Sequence, residues 1–147
     1  MAFDPFTVIQ SLSDNSPASM FLRFVISEID LGSGKRQGVF HAGDALMSNN
    51  DLSHRAAATL QDTFDWFNAN LPHPNRFSLS GRSNRKAQAI SWFRSTAVDH
   101  IARMRDYTRV LGENGIQTEV LKTRRPGYII YEDDYQVVAY PFADTSC

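Results

Sequence analysis

The sequence predicts an α+β fold: a mostly antiparallel four-stranded sheet in the order β-α-α-α-β-β-β, with three helices packed on one face. Three observations predict it. The run Phe21-Leu22-Arg23-Phe24-Val25-Ile26 is rich in β-formers and nearly continuous in its apolar character, as a central strand buried on both faces must be. Between about Arg85 and Leu111, apolar residues recur by threes and fours, the spacing of one helical face. From Ile116 to Tyr140 the chain alternates and turns, as an antiparallel meander does. Strands and helices do not alternate along the chain, so a doubly wound parallel sheet is not expected.

Residues 1–19 mix turn signals, Asp4-Pro5, Asp14-Asn15 and Ser16-Pro17, with a brief apolar run at Phe6 to Ile9, and read as a loosely ordered leader. Residues 20–147 form a single α+β domain. Its first strand covers Met20 to Ile29 and is closed by Gly32-Ser33-Gly34. A first helix is expected from Gln37 to about Met47, stopped by Asn49-Asn50. Asp51 or Ser53 caps a second helix, since either side chain accepts the free N–H groups of a first turn, and Ala56, Ala57, Leu60, Phe64 and Phe67 form its apolar face. Pro72 and Pro74 forbid its continuation. Ser78 to Asn84 is the loop richest in turn formers.

The third helix is expected over Arg85 to Leu111, capped by Asn84, with Ile90, Phe93, Ala97, Ile101, Met104, Thr108 and Leu111 on one side. Gly112 and Gly115 end it. A strand follows over Ile116 to Thr123, with Ile116, Thr118 and Val120 on one face. Gly127 to Tyr131 then pairs with Tyr135 to Tyr140 around an Asp133-Asp134 turn, placing Tyr131 with Ile129 on one face and Tyr128 with Ile130 on the other.

With 147 residues, 42% hydrophobic and 12% aromatic, the chain can bury an aromatic-rich core without a covalent staple. Its single cysteine, Cys147, excludes an intramolecular disulfide and a cysteine-based zinc site. Apolar runs are far shorter than the roughly 20 residues of a membrane helix, and the first twenty residues lack the pattern of a secretory signal, so a cytoplasmic protein without membrane partners is expected. The net charge of -1 conceals a segregation. Residues 1–75 carry four basic against eight acidic side chains, residues 76–125 eleven against four, and residues 126–147 none against four. Such asymmetry points either to an anionic partner or to pairing within the chain.

Four constellations carry candidate chemistry. Lys35 and Arg36 follow a glycine-rich turn and precede a helix, where backbone N–H groups accept an anion, but the spacing matches neither a P-loop nor a dinucleotide fingerprint. On the expected third helix Arg94, Arg105 and Arg109 line one flank, an arrangement that neutralises phosphates, and a solvated helix face is the simpler account. Glu28 and Asp30 near the first strand's end, with Glu132, Asp133 and Asp134 in the hairpin turn, would hold a divalent cation only if both groups met at one sheet end. Arg124 and Arg125 precede a hairpin bearing Tyr128, Tyr131 and Tyr135, residue types that dominate binding hot spots.

The four histidines lack metal-ligand spacing, and His100 is expected to be a packed, hydrogen-bonded histidine. No nucleophile elbow occurs, no catalytic residue is assigned, and neither a metal nor a cofactor is expected. The leading expectation is a non-enzymatic protein-binding or adaptor domain that holds a protein partner or a second copy through Arg124, Arg125, Tyr128, Tyr131 and Tyr135. The first alternative is a nucleic-acid-binding accessory protein using the basic segment 76–125, with Lys35, Arg36, Arg94, Arg105 and Arg109 as anion contacts. The second is a metal-dependent phosphoryl-transfer or nuclease enzyme.

Overall fold

The computed structural model describes residues 20–29, 35–49, 51–73 and 89–145. The expected leader, Asp30, the Gly32-Ser33-Gly34 turn, Asn50, the Ser78 to Asn84 loop and the Asn84 cap lie outside the described residues. In chain order the elements are β1 (Phe21–Ile29), β2 (Arg36–Gly38), α1 (Val39–Met47), α2 (His54–Asn70), β3 (Ile90–Arg94), α3 (Val98–Glu113), β4 (Glu119–Thr123), β5 (Tyr128–Glu132) and β6 (Gln136–Tyr140). No helix among the described residues is long and apolar enough to cross a membrane.

The α+β class stands, with three helices described, but the antiparallel sheet has six strands rather than four. One added strand is β2, three residues long and too short to show any periodicity in sequence. The other is β3, which takes residues 90–94 out of the expected long helix. Ile90, Phe93 and Ala97 do fall at helical spacing, yet Ile90 and Trp92 are buried on one face while Ser91 between them is exposed, the period of a strand. Pairing decides the matter: Trp92 lies opposite Val137 and Phe93 opposite Leu22. Ala97 N–H then donates to Arg94 O at 2.9 Å, closing a turn that separates β3 from α3. The strand expected over Ile116 to Thr123 is also shorter than predicted, beginning at Glu119.

β1 is the central strand. Phe21 pairs with Arg94 of β3 on one edge and with Thr123 of β4 on the other. Val25 pairs with Gly38 of β2 and with Glu119 of β4. β2 and β3 therefore share one edge of β1, β3 along its beginning and β2 along its end. Across the sheet the order is β4, β1, β3, β6, β5, with β2 wedged beside β1 where β3 has left it.

The connection from β4 to β5 constrains the sheet's shape. Register places Thr123 at the Phe21 end of β1 and Tyr128, opposite Tyr140, at the Ile90 end of β3. In a flat sheet those residues would lie about 19 Å apart sideways and about 17 Å apart lengthwise. Residues 124–127 give five Cα steps, which reach at most about 18 Å. The sheet is therefore strongly curled, which brings the outer strands toward each other.

Two cores follow from β1 being buried on both faces. Phe24 and Ile26 pack with Val39, Ala42, Leu60, Phe67, Met104, Tyr107, Val110 and Leu111 from the helices. Phe21, Val25, Ile90, Trp92, Leu121 and Val137 form the second cluster. Local chemistry fixes the helix ends. Ser53 Oγ accepts from Ala56 N–H at 3.1 Å, as the sequence predicts for a cap. α3 closes on Gly115, whose φ of +88° suits a residue without Cβ, as Ile116 N–H donates to Leu111 O at 2.9 Å and Gly115 N–H to Gly112 O at 3.1 Å.

Candidate interaction site

The β5–β6 hairpin forms where expected, and its turn is built by one carboxylate. Asp133 Oδ1 accepts from Tyr135 N–H at 2.8 Å and Gln136 N–H at 3.0 Å, and Asp133 N–H donates to Gln136 O at 3.0 Å. Its second oxygen accepts from Tyr131 OH at 2.8 Å and Gln136 Nε2 at 3.0 Å. Partial burial works to raise the Asp133 pKa, but the hydrogen bonds from Tyr135, Gln136 and Tyr131 outweigh it and hold the carboxyl below its usual value. The same bond from Tyr131 raises that phenol's own pKa.

The turn is docked onto the helices. Gln136 Nε2 also donates to Pro72 O at 2.7 Å, just past α2. Tyr135 stacks on the His100 ring at 4.4 Å, and His100 Nε2 lies 2.9 Å from Asn70 O, so this histidine is packed and hydrogen-bonded as expected. Arg94 clamps the other side: Nε donates to Asp133 O and one terminal nitrogen to Glu132 Oε1, each at 2.7 Å.

At its other end the hairpin starts from Gly127, whose φ is +133° and whose Cα lies so close to the next strand that a Cβ would sit 2.1 Å from Tyr140 O. Tyr128 packs edge-on against Phe142 at 4.6 Å, and Arg125 lies over the same ring at 5.0 Å while reaching Asp144 at 3.4 Å. The alternation expected along β5 is broken. Tyr128 pairs with Tyr140 and Tyr131 with Val138, so the two tyrosines share a face, whereas Ile129 pairs with Ala139 on the opposite face. A bulge between Ile129 and Tyr131 inserts the extra residue that resets the register.

The two outer strands differ in character. β4 is paired only with β1 among the described residues and presents exposed Glu119 and Lys122. β5 is paired only with β6 among the described residues, and its sequence is Tyr-Ile-Ile-Tyr-Glu. Tyr128 and Ile129 are 55% and 41% exposed, large values for an apolar edge. Charge on an edge discourages further pairing, and β5 carries it only at Glu132, which Arg94 holds.

Of the residues predicted to bind a partner, Arg124, Arg125, Tyr128 and Tyr131 lie along the β5 edge and its approach, whereas Tyr135 is at the far end of the hairpin against α3. The predicted anion contacts are not brought together. Arg94 is on a strand, not beside Arg105 and Arg109 on a helical flank, because residues 90–94 pair with β1 and β6. Arg36 is bound to Glu119 at 2.7 Å, and that bond lowers the Glu119 pKa; Arg109 is bound to Glu113 at 3.1 Å within α3. Arg105 instead shares a shallow surface depression with Lys122, Leu22 and Val98. Lys35 precedes β2 and is half-buried.

The described carboxylates do not converge either. Glu132 and Asp133 lie at the Phe21 end of β1, whereas Glu28 is seven residues along that strand, about 23 Å away at strand rise. Among the described residues no group of three His, Cys, Asp or Glu side chains is placed to hold a metal ion. Sequence reasoning missed Gln136, which ties the turn to Pro72, since a glutamine opening an apolar strand carries no signal of its partner. No family model, curated protein or solved structure matches the chain.

Proposed function

We propose that this chain is a cytoplasmic, non-enzymatic binding domain that adds an extended, acidic segment of a protein partner to the edge of β5. The observation that carries the reading is the contrast between the two outer strands: β4 presents Glu119 and Lys122, β5 presents Tyr128 and Ile129. Strand addition takes its affinity from main-chain hydrogen bonds and its selectivity from side chains at alternate positions. Arg125, at the entrance to β5, already faces Asp144, and the exposed Arg124 beside it favours carboxylates in the incoming segment. A nucleic-acid role has less support, because Arg36, Arg94, Arg109 and Arg125 each face a carboxylate of the chain itself.

Panning a library of displayed ten-residue peptides against the full chain tests the reading. Selected peptides should be rich in β-formers with acidic residues, should slow amide exchange in β5, and should lose binding to Ile129→Lys and when their own amides are N-methylated. Peptides that bind without slowing exchange in β5, or a library that yields none, would refute it. Protection of β5 that rises with protein concentration alone would make the occupant a second copy. Binding that requires deletion of residues 1–19 would assign the edge to the chain's own leader.

A further inference from the structure

β1 and β3 stay paired for only two residues, Phe21 with Arg94 and Leu22 with Phe93. Continuing that register would set Phe24 opposite Ser91, but β3 follows β6 instead, and β2 meets β1 only from Val25. The hydrogen bonds at the end of β3 show which main-chain groups the division leaves open. Ser95 N–H donates to Met20 O at 2.9 Å, on the β1 side, and Arg94 N–H to Tyr135 O at 2.8 Å, on the β6 side. The N–H and C=O of alternate residues in an antiparallel strand point to the same edge. Trp92 and Ile90 therefore face β6, whereas Phe93 and Ser91 face β1. Phe93 meets Leu22 there; Ser91, which is exposed, has no strand opposite its N–H and C=O among the described residues.

A cavity of about 380 Å³, the volume of an ordinary small-molecule site, occupies this division. Ser91 lines it together with the apolar and aromatic side chains Phe24, Val39, Phe40, Phe93 and Met104. Arg23 is the only wall residue with a permanent charge, and its guanidinium donates to Arg36 O. No carboxylate lines the cavity among the described residues. The walls thus offer aromatic surface and one main-chain donor beside one main-chain acceptor, a combination that matches an uncharged ligand.

We infer that the division between β1 and β3 binds a small neutral planar heterocycle with a hydrogen-bond donor beside an acceptor on one edge, as a lactam has. The lactam C=O accepts from Ser91 N–H and its N–H donates to Ser91 O, in the place that β1 leaves empty. The ring lies against Phe24, Phe40 and Phe93. The site is separate from the β5 edge and does not depend on the strand-addition reading.

The test uses the full chain and 2-quinolinone, a neutral bicyclic lactam, with 1-methyl-2-quinolinone as the control that keeps the rings and lacks the donor. Binding is followed in the amide proton spectrum. Saturable binding of 2-quinolinone should move the Ser91 amide proton downfield and slow its exchange with solvent. The N-methyl compound should bind about tenfold more weakly, the scale of one hydrogen bond. Ser91→Ala keeps both main-chain groups and should bind as the parent does. Ser91→Pro removes only an N–H that faces away from β6, so the sheet should form, by circular dichroism, while affinity falls about tenfold. Should that variant not fold, Ser91→Phe takes its place: the position is exposed and lies on the same face as Phe93, so the added ring crowds the cavity and should abolish binding. Absent saturation, saturation that leaves the Ser91 amide unmoved, equal affinity for the N-methyl compound, or a tenfold loss in Ser91→Ala would overturn the inference. So would undiminished affinity in folded Ser91→Pro or Ser91→Phe.

Discussion

Replacing Gly43 by alanine should destabilise the protein, although the same change in an isolated helix would stabilise it. Gly43 lies inside α1, where alanine is favoured over glycine by about 1 kcal/mol. A Cβ there would stand 1.7 Å from the hydroxyl oxygen of Tyr107 and 2.5 Å from its Cζ. Tyr107 cannot swing aside, because it is fully buried in the helical core with the Phe40 ring edge-on at 5.0 Å. Overpacking of this kind costs about 1–3 kcal/mol, and so severe an overlap belongs at or beyond the upper end. The net loss should be about 2 kcal/mol, or about 4–8 °C in Tm for a chain of this size.

Tyr107→Phe supplies the control. The Tyr107 hydroxyl has no hydrogen-bond partner among the described residues, and burial, with the charge of Asp44 as a smaller cause, pushes its pKa up to about 12. Removing that oxygen alone should be neutral or stabilising, since it takes away an unsatisfied buried group. In the double variant the nearest overlap disappears while that with Cζ remains, so part of the loss should return. Urea denaturation of the four proteins measures the coupling. A Gly43→Ala protein more stable than the parent, or effects additive to within about 0.5 kcal/mol, would refute the packing argument.

Gly127→Ala should cost at least about 2 kcal/mol, because it places a side chain at a φ of +133° and against Tyr140 O; an unchanged urea midpoint would contradict this. Asp133 has a lowered folded pKa, so its contribution to stability is present above the unfolded carboxyl value near 4 and is lost as pH falls through the folded value. Asp133→Ala should therefore be less stable at pH 7 and should lose less stability than the parent on acidification, read from Tm between pH 7 and pH 2.

The α+β class was legible because β1 is apolar on both faces and α2 carries its cap and its stop in its own residues. Ser53 and Pro72 act locally, and local signals survive in a sequence. β3 was hidden for the opposite reason. Ile90-Ser91-Trp92-Phe93-Arg94 satisfies a helical spacing and a strand alternation equally, and the partners that decide between them, Leu22 and Val137, lie far away in the chain. That one misplacement also moved Arg94 from a supposed basic flank to a clamp on the hairpin turn. The segregated charge was visible, but its pairing, Arg36 with Glu119 and Arg125 with Asp144, belongs to the fold rather than to either segment.

The curl imposed by the short β4–β5 connection also limits assembly. An edge that accepts one strand ordinarily offers a fresh edge to the next, and a flat sheet elongates that way into a fibre. Here Thr123 and Tyr128 are held within about 18 Å of each other although they lie at opposite ends of their strands, so β4 and the connection itself stand close beside β5. A growing stack of strands meets β4 with its Glu119 and Lys122 instead of open solvent. That obstacle works against open-ended elongation, so an apolar edge that would endanger a flat sheet is tolerable here.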